Sequence, residues 1–215
     1  AKKYAAGCGL FYPPLKLPLK MNSVHDSSHA TKESAYAQEG VLILLMHDGD
    51  LQFVNSDSPL FKKVLHSKDS MSGFCHVIAF ISHKAKRVSS STSMAETLAA
   101  VHGKEIAQLV AVRLTEILGH GILTPWLKPT SLSLFIEIQE QGLYIVPIDH
   151  MTDCHDLFQL AIGEKGVPQD RYQRVYVMSI REDRIKGIIR RFFWIPTAAM
   201  IADAMTKSMI SFELY

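Results

Sequence analysis

Ser89-Ser90-Ser91-Thr92-Ser93-Met94-Ala95-Glu96-Thr97-Leu98-Ala99-Ala100 is a serine-rich turn that runs straight into the longest helical pattern of the chain. Hydroxyl side chains ahead of an apolar-periodic run can accept from the unpaired N–H groups of a helix start, so a helix is expected to open within this stretch. Its pattern continues to about Leu118, with Ala95, Leu98, Ala99, His102, Ile106, Leu109, Val110, Arg113 and Ile117 at three- and four-residue steps, and Gly119 stops it. Seven of these nine are apolar, which predicts that this is the buried face. Glu96 lies about 100° around from the start of that stripe, at its border. A carboxylate there either faces a cleft or merely complements the helix dipole, and acidic residues elsewhere must decide between the two.

Upstream of the serines stand Lys84, Lys86 and Arg87. Cations, the hydroxyls of Ser90, Ser91 and Thr92, and the N–H groups of a helix start would converge on one spot, as they do where proteins hold a phosphate. A solvated basic loop is an equal reading. Further back, residues 76–82 are β-branched and apolar, and the continuous apolar run 40–46 predicts a strand covered on both faces. Residues 19–26 alternate roughly and predict a first strand with Asp26 at its end. Residues 47–50 read as a turn, and 51–72 has no assignment.

Downstream, a proline-bounded loop at 125–129 precedes residues 132–138, which fit helix or strand equally. A further strand within 142–153 ends at Asp153, helices follow at 154–162 and 169–186, and 187–195 is a strand stopped by Pro196. A short helix at 198–205 carries Asp203. Three strands, a long helix, a strand, helices, a strand and a last helix predict an α/β mixed sheet with helices on its faces. Four acidic residues then hold matched places: Asp26 and Asp153 at strand ends, Glu96 and Asp203 on helices.

The 215 residues are 47% hydrophobic and 20% charged, the composition of a folded domain. A net charge of +2 excludes a global polycation, so nucleic-acid binding would rest on local basic clusters. No apolar run reaches the ~18 residues of a membrane span, so no membrane partner is expected. Cys8, Cys75 and Cys154 show no C-x-x-C spacing, which argues against a disulfide framework and a zinc site and for a reducing, intracellular compartment. Residues 1–19, with Pro13, Pro14 and Pro18, read as an extended lead-in from a preceding domain, the start as the cut end of a longer product, 20–208 as the folded domain and 209–215 as a tail.

Several of these segments together resemble the ribonuclease H domain that follows reverse transcriptase in Copia-type retrotransposon polyproteins. Ser90 to Glu96 looks like that family's serine–serine–threonine–x–alanine–glutamate helix start, and Thr152-Asp153-Cys154 like its threonine–aspartate strand end. Ile195-Pro196-Thr197 followed by Ile201-Ala202-Asp203-Ala204-Met205-Thr206-Lys207 is similar to its C-terminal signature. The resemblance implies a ribonuclease H-like fold, a five-stranded mixed sheet with helices on both faces. It implies hydrolysis of the RNA strand of an RNA–DNA hybrid beside the reverse transcriptase domain of the same polyprotein. Asp26, Glu96, Asp153 and Asp203 would be the catalytic ligands of two Mg²⁺ ions, with Mn²⁺ as a substitute.

The residue chemistry agrees. Two Mg²⁺ ions about 3.5–4 Å apart activate a water and relieve charge on the leaving oxygen, and Mg²⁺ prefers hard oxygen ligands. Three points stay open in the sequence. Asp149 shares a strand face with Asp153 and Asp156 follows closely, so either is an alternative third ligand. Residues 196–200 lack the histidine that cellular ribonucleases H carry before the last aspartate, as Copia-type domains generally do. His25, His29 and His155 read as helpers or as local hydrogen-bonding groups. The competing classes are a catalytically weak or inactive module that only grips nucleic acid, and an integrase-like phosphotransferase on the same fold.

Overall fold

The computed structural model describes residues 12, 14–28, 36–48, 52–53, 71–72, 75–86, 88–89, 91–118, 140 and 142–206. Five strands form its main sheet: β1 (Leu19–Ser28), β2 (Gln38–His47), β3 (Cys75–Lys84), β4 (Ile148–Thr152) and β5 (Ile189–Trp194). They lie in the order β3-β2-β1-β4-β5. The first three pair antiparallel, and β4 and β5 continue the sheet in parallel from β1. This is the five-stranded mixed sheet the sequence implied. A separate two-residue ladder joins Gln52–Phe53 to Met71–Ser72; the rest of 51–72, the 132–138 segment, most of the lead-in and the tail at 209–215 lie outside the described residues.

The apolar run 40–46 forms the heart of β2 and is covered on both faces, as its unbroken hydrophobicity requires. Val41, Ile43 and Leu45 pack with Met21, Ile148, Ala107 and Ala111. Leu42 and Leu44 point the other way, to Val24, Met151, Ile195, Met200 and Ala202. Helices α1 (Thr92–Leu118), α2 (His155–Ile162) and α3 (Arg171–Ile185) cover the first face. A 3₁₀ turn (Thr197–Ala199) and the short α4 (Asp203–Thr206) cover the second. The helix expected at 198–205 is broken because Met200, extended at ψ 94°, and Ala202 are drawn flat into the core. Among the described residues no helix is long and apolar enough to cross a membrane.

The buried face of α1 differs from the expected stripe. Leu109 and Ile117 are 51% and 71% exposed, while Glu96, Ala100, Gly103, Lys104, Ala107 and Ala111 are buried. Closeness of approach is the reason: a Cβ on Gly103 would stand 2.9 Å from Ser23 Oγ on β1. Small residues, rather than the largest apolar ones, therefore line the seam with the sheet. Lys104, buried on the same helix, donates from Nζ to Asp183 Oδ2 of α3 at 2.6 Å and to Ser179 Oγ at 2.7 Å. Rotation of the helix carries Glu96 from the border of the stripe into the packed face.

Candidate active site

Register alone brings two of the acids together. Val24 of β1 sits opposite Met151 of β4 in parallel, and two residues further along both strands are Asp26 and Asp153, side by side where β4 ends. Antiparallel pairing sets Asp26 opposite Gly40, and Gly40 opposite Ser82. This row seats α4. A Cβ on Gly40 would meet Met205 Cβ and Thr206 Cγ2 at 2.8 Å, and Ser82 Oγ donates to the Met205 carbonyl at 2.5 Å. The missing side chain thus lets α4 lie on the sheet, and Thr206 Oγ1 donates to Asp26 Oδ2. Asp203, at the start of α4, arrives with it. One carboxylate oxygen each from Asp26, Asp153 and Asp203 lies within 4.8 Å of the others.

Glu96 reaches the same place from the opposite face. Ser27, next to Asp26, donates to Glu96 Oε1 from its hydroxyl at 2.9 Å and its backbone N–H at 3.3 Å. The other oxygen, Oε2, is buried without a hydrogen-bond partner among the described residues. Burial, then repulsion from Asp26 and more weakly from Asp153, pushes the Glu96 carboxyl up to about 8, against the lowering effect of the Ser27 bonds. Metal-free, Glu96 therefore holds a proton at neutral pH.

The neighbours left open by the sequence now separate. Asp149 is fully buried about 13 Å back along β4, where Arg190 and Arg191 reach its Oδ2 at 2.7 and 2.6 Å and Arg190 continues to Asp48. It is an anchor for β5. Asp156 accepts from Ser93 Oγ at 2.8 Å and pairs with Lys165, whose hydrogen bond holds its carboxyl below the usual range. Asp153 is the acid of this trio in the cluster. His25 is buried and stacks on His150 at 4.5 Å, both held neutral by desolvation; neither His25 ring nitrogen meets a hydrogen-bond partner among the described residues, so it is a packing group rather than a local hydrogen-bonding one. His155 packs edge-on against Trp194, and His29 lies outside the described residues.

Of the expected phosphate-binding residues, Lys84, Lys86, Ser91 and Thr92 are exposed, while Arg87 and Ser90 lie outside the described residues. Ser91 Oγ accepts from Met94 N–H at 3.1 Å and caps α1, which leaves its own proton to donate outward. Three participants escaped the sequence reading: Ser27, Thr206 and Gly40. Thr206 had a signal, since it falls three residues after Asp203, one helical turn on. Ser27 and Gly40 had none, because their roles arise only from cross-strand register.

Fold and cluster together define an α/β mixed-sheet protein with buried and half-buried carboxylates gathered near the ends of β1 and β4. No family model matches the chain, and no curated protein sequence does. Solved structures that it resembles include LC11-RNase H1, isolated from compost by a metagenomic approach, at 11% identity over 86% of this chain and 91% of that one, TM-score 0.47. The same enzyme in complex with an RNA/DNA hybrid matches at 10% identity over 87% and 93%, TM-score 0.46. The N-terminal ribonuclease H domain of a Mycobacterium tuberculosis protein matches at 13% identity over 88% and 91%, TM-score 0.45.

Proposed function

We propose that this chain is a metal-dependent endonuclease that hydrolyses the RNA strand of RNA–DNA hybrids, as the ribonuclease H part of a Copia-type retrotransposon polyprotein beside its reverse transcriptase domain. One observation carries the reading: oxygens of Asp26, Asp153 and Asp203, from three separate chain segments, converge within 4.8 Å. Glu96, pushed up to about 8, stands against them. Carboxylate oxygens crowded together, with a buried Glu96 Oε2 that has no hydrogen-bond partner among the described residues, are hard oxygen donors of the kind that fits Mg²⁺, with Mn²⁺ as a substitute. Asp26, Glu96, Asp153 and Asp203 would hold it. When bound, the ions supply an activated water and charge relief at the leaving oxygen.

The chain's own residues do the rest. Ser27 fixes one oxygen of Glu96 and leaves the other without a hydrogen-bond partner among the described residues. Thr206 orients Asp26 and ties α4 to it. A cation held there would favour the Glu96 carboxylate over its protonated form. Lys84 and Lys86, together with Arg87, Ser90, Ser91 and Thr92, hold backbone phosphate ahead of α1. Residues 196–200 contain no histidine, so proton delivery to the leaving oxygen is assisted differently from that in cellular ribonucleases H.

Labelled RNA–DNA hybrid, RNA duplex and DNA duplex incubated with the chain, with Mg²⁺ or a chelator, test this. Cleavage of the hybrid alone, only with metal, and lost in Asp26→Asn, is the expected result. The competing reading is a module that grips hybrid without cutting it. Tight hybrid binding with no cleavage at any Mg²⁺ or Mn²⁺ concentration would establish that reading and overturn the first.

A further inference from the structure

Glu39 lies next to Gly40 on β2, so its side chain leaves the sheet on the opposite face from the α4 seat. In register across the sheet stand Ser27, Glu39 and His83, and α1 closes over the row with His102. Glu39 is only 6% exposed. Its Oε2 lies 3.2 Å from His102 Nδ1 and 3.9 Å from His83 Nδ1. One ligand atom from each of the three residues falls within 4.8 Å of the others. The imidazoles stack at 4.9 Å between centroids and 23° between planes, which presents both rings to the same carboxylate. They border a cleft of about 220 Å³ that Lys86, Glu105 and Tyr176 also line.

Two features of this cluster point to a ligand. His83 Nδ1 is buried and has no hydrogen-bond partner among the described residues. Glu39 is a buried carboxylate, and among the described residues its ion-pairing neighbours are these two imidazoles rather than a lysine or arginine. Burying a carboxylate without a matching charge is costly, and a cation between the three atoms would satisfy Glu39 and His83 together. The donor set names the class of cation. Two imidazole nitrogens with one carboxylate oxygen suit zinc and its transition-metal neighbours, whereas Mg²⁺ takes oxygen. Observed separations of 3.2 and 3.9 Å bracket the ~3.4 Å edge of a tetrahedron built on bonds of about 2.1 Å. Three protein donors leave a position that water from the adjoining cleft would fill.

We propose that Glu39, His83 and His102 form a binding site for one zinc-type divalent cation, separate from the carboxylate cluster and clamping β2, β3 and α1 together. The proposal is independent of the nuclease reading, because it uses none of those ligands. Its test is titration with ZnCl₂ of the full chain carrying Asp26→Asn, Asp153→Asn and Asp203→Asn, followed by calorimetry. The expected result is one ion per chain with micromolar or tighter affinity, unaffected by millimolar Mg²⁺. Adding His83→Gln and His102→Gln should weaken binding by more than about 100-fold, beyond the 10–100-fold that a mere outer partner costs. A readout free of substitutions covers misfolding: in the unaltered chain, zinc should shift the ring ¹⁵N resonances of His83 and His102 and leave those of the buried His25 and His150 in place. Absence of saturable zinc binding, undiminished affinity in the histidine variant, or unmoved His83 and His102 resonances would each overturn the site.

Discussion

Replacing Glu96 with glutamine removes a titrating proton from a buried group while keeping its size and its acceptor for Ser27. In the metal-free chain the Glu96 carboxyl is raised from 4.5 to about 8, first by burial and then by Asp26. Between those two pH values the folded state holds a proton that the unfolded chain has released. Stability from this group is therefore complete below pH 4.5, falls as pH rises, and reaches its floor once pH passes about 8. At 1.36 kcal/mol per pH unit the full loss is at most ~5 kcal/mol, an upper limit because Asp26 and Asp153 relax away from the charge. Glu96→Gln should match the unaltered chain near pH 4.5 and exceed it by several kcal/mol at pH 9. Urea unfolding with a chelator, at pH 4.5, 6, 7.5 and 9, measures this; a gap of 3 kcal/mol moves the midpoint by about 1 M or more. Comparing the two chains at each pH cancels the titration of groups that are not coupled to Glu96, His25 and His150 among them. Equal midpoints at pH 9, or a gap that does not grow with pH, would refute the electrostatic account of Glu96. The same substitution should abolish hybrid cleavage, so stability and activity move in opposite directions.

The other carboxylates separate by tether. Asp26→Asn and Asp153→Asn should each abolish cleavage with cooperative melting retained, whereas Asp203→Asn, on the four-residue α4, should shift the Mg²⁺ or Mn²⁺ requirement upward, and a total loss at every metal concentration would contradict that role. Gly40→Ala forces α4 off the sheet through contacts of 2.8 Å, so it should cost roughly 1–3 kcal/mol by overpacking and raise the metal requirement as well; an unchanged melting temperature would show that the seat yields freely. Neutralising Lys84 and Lys86 together should weaken hybrid binding for all sequences and flatten its log–log salt dependence by about one unit per lost phosphate contact, and an unchanged slope assigns them to solvent. His150, held down to about 3 by burial and by Lys104, with His25 lowered beside it, makes stability fall as pH drops below 6.5; His150→Phe should flatten that acid limb in the same urea assay.

Much of this protein was readable in one dimension because its signals are local. The apolar run of β2, the proline that ends β5 and the serines ahead of α1 each act through neighbours a few residues away, and the elements they mark stand where the sequence placed them. Asp26, Glu96, Asp153 and Asp203 were likewise visible as acids at element ends. The face of α1 was not. Periodicity weighs Leu109 and Ile117 above Gly103 and Ala107, yet the helix buries the small residues, since closeness to β1 depends on what lies across the seam at Ser23. Choosing Asp153 over Asp149 and Asp156 also needed three dimensions: Asp149 is claimed by two arginines of β5, Asp156 by Ser93 and Lys165. Gly40, Ser27 and Thr206 gain their parts through cross-strand register and the docking of α4, and Glu39, His83 and His102 meet across positions up to 63 residues apart. The sequence determines which residues can form helices, strands and charges, because those tendencies are set within a few peptide units. Which of them touch is decided by the packing of the sheet faces, where a missing Cβ lets one element approach another and a one-residue change of register moves a strand's side chains to the other face.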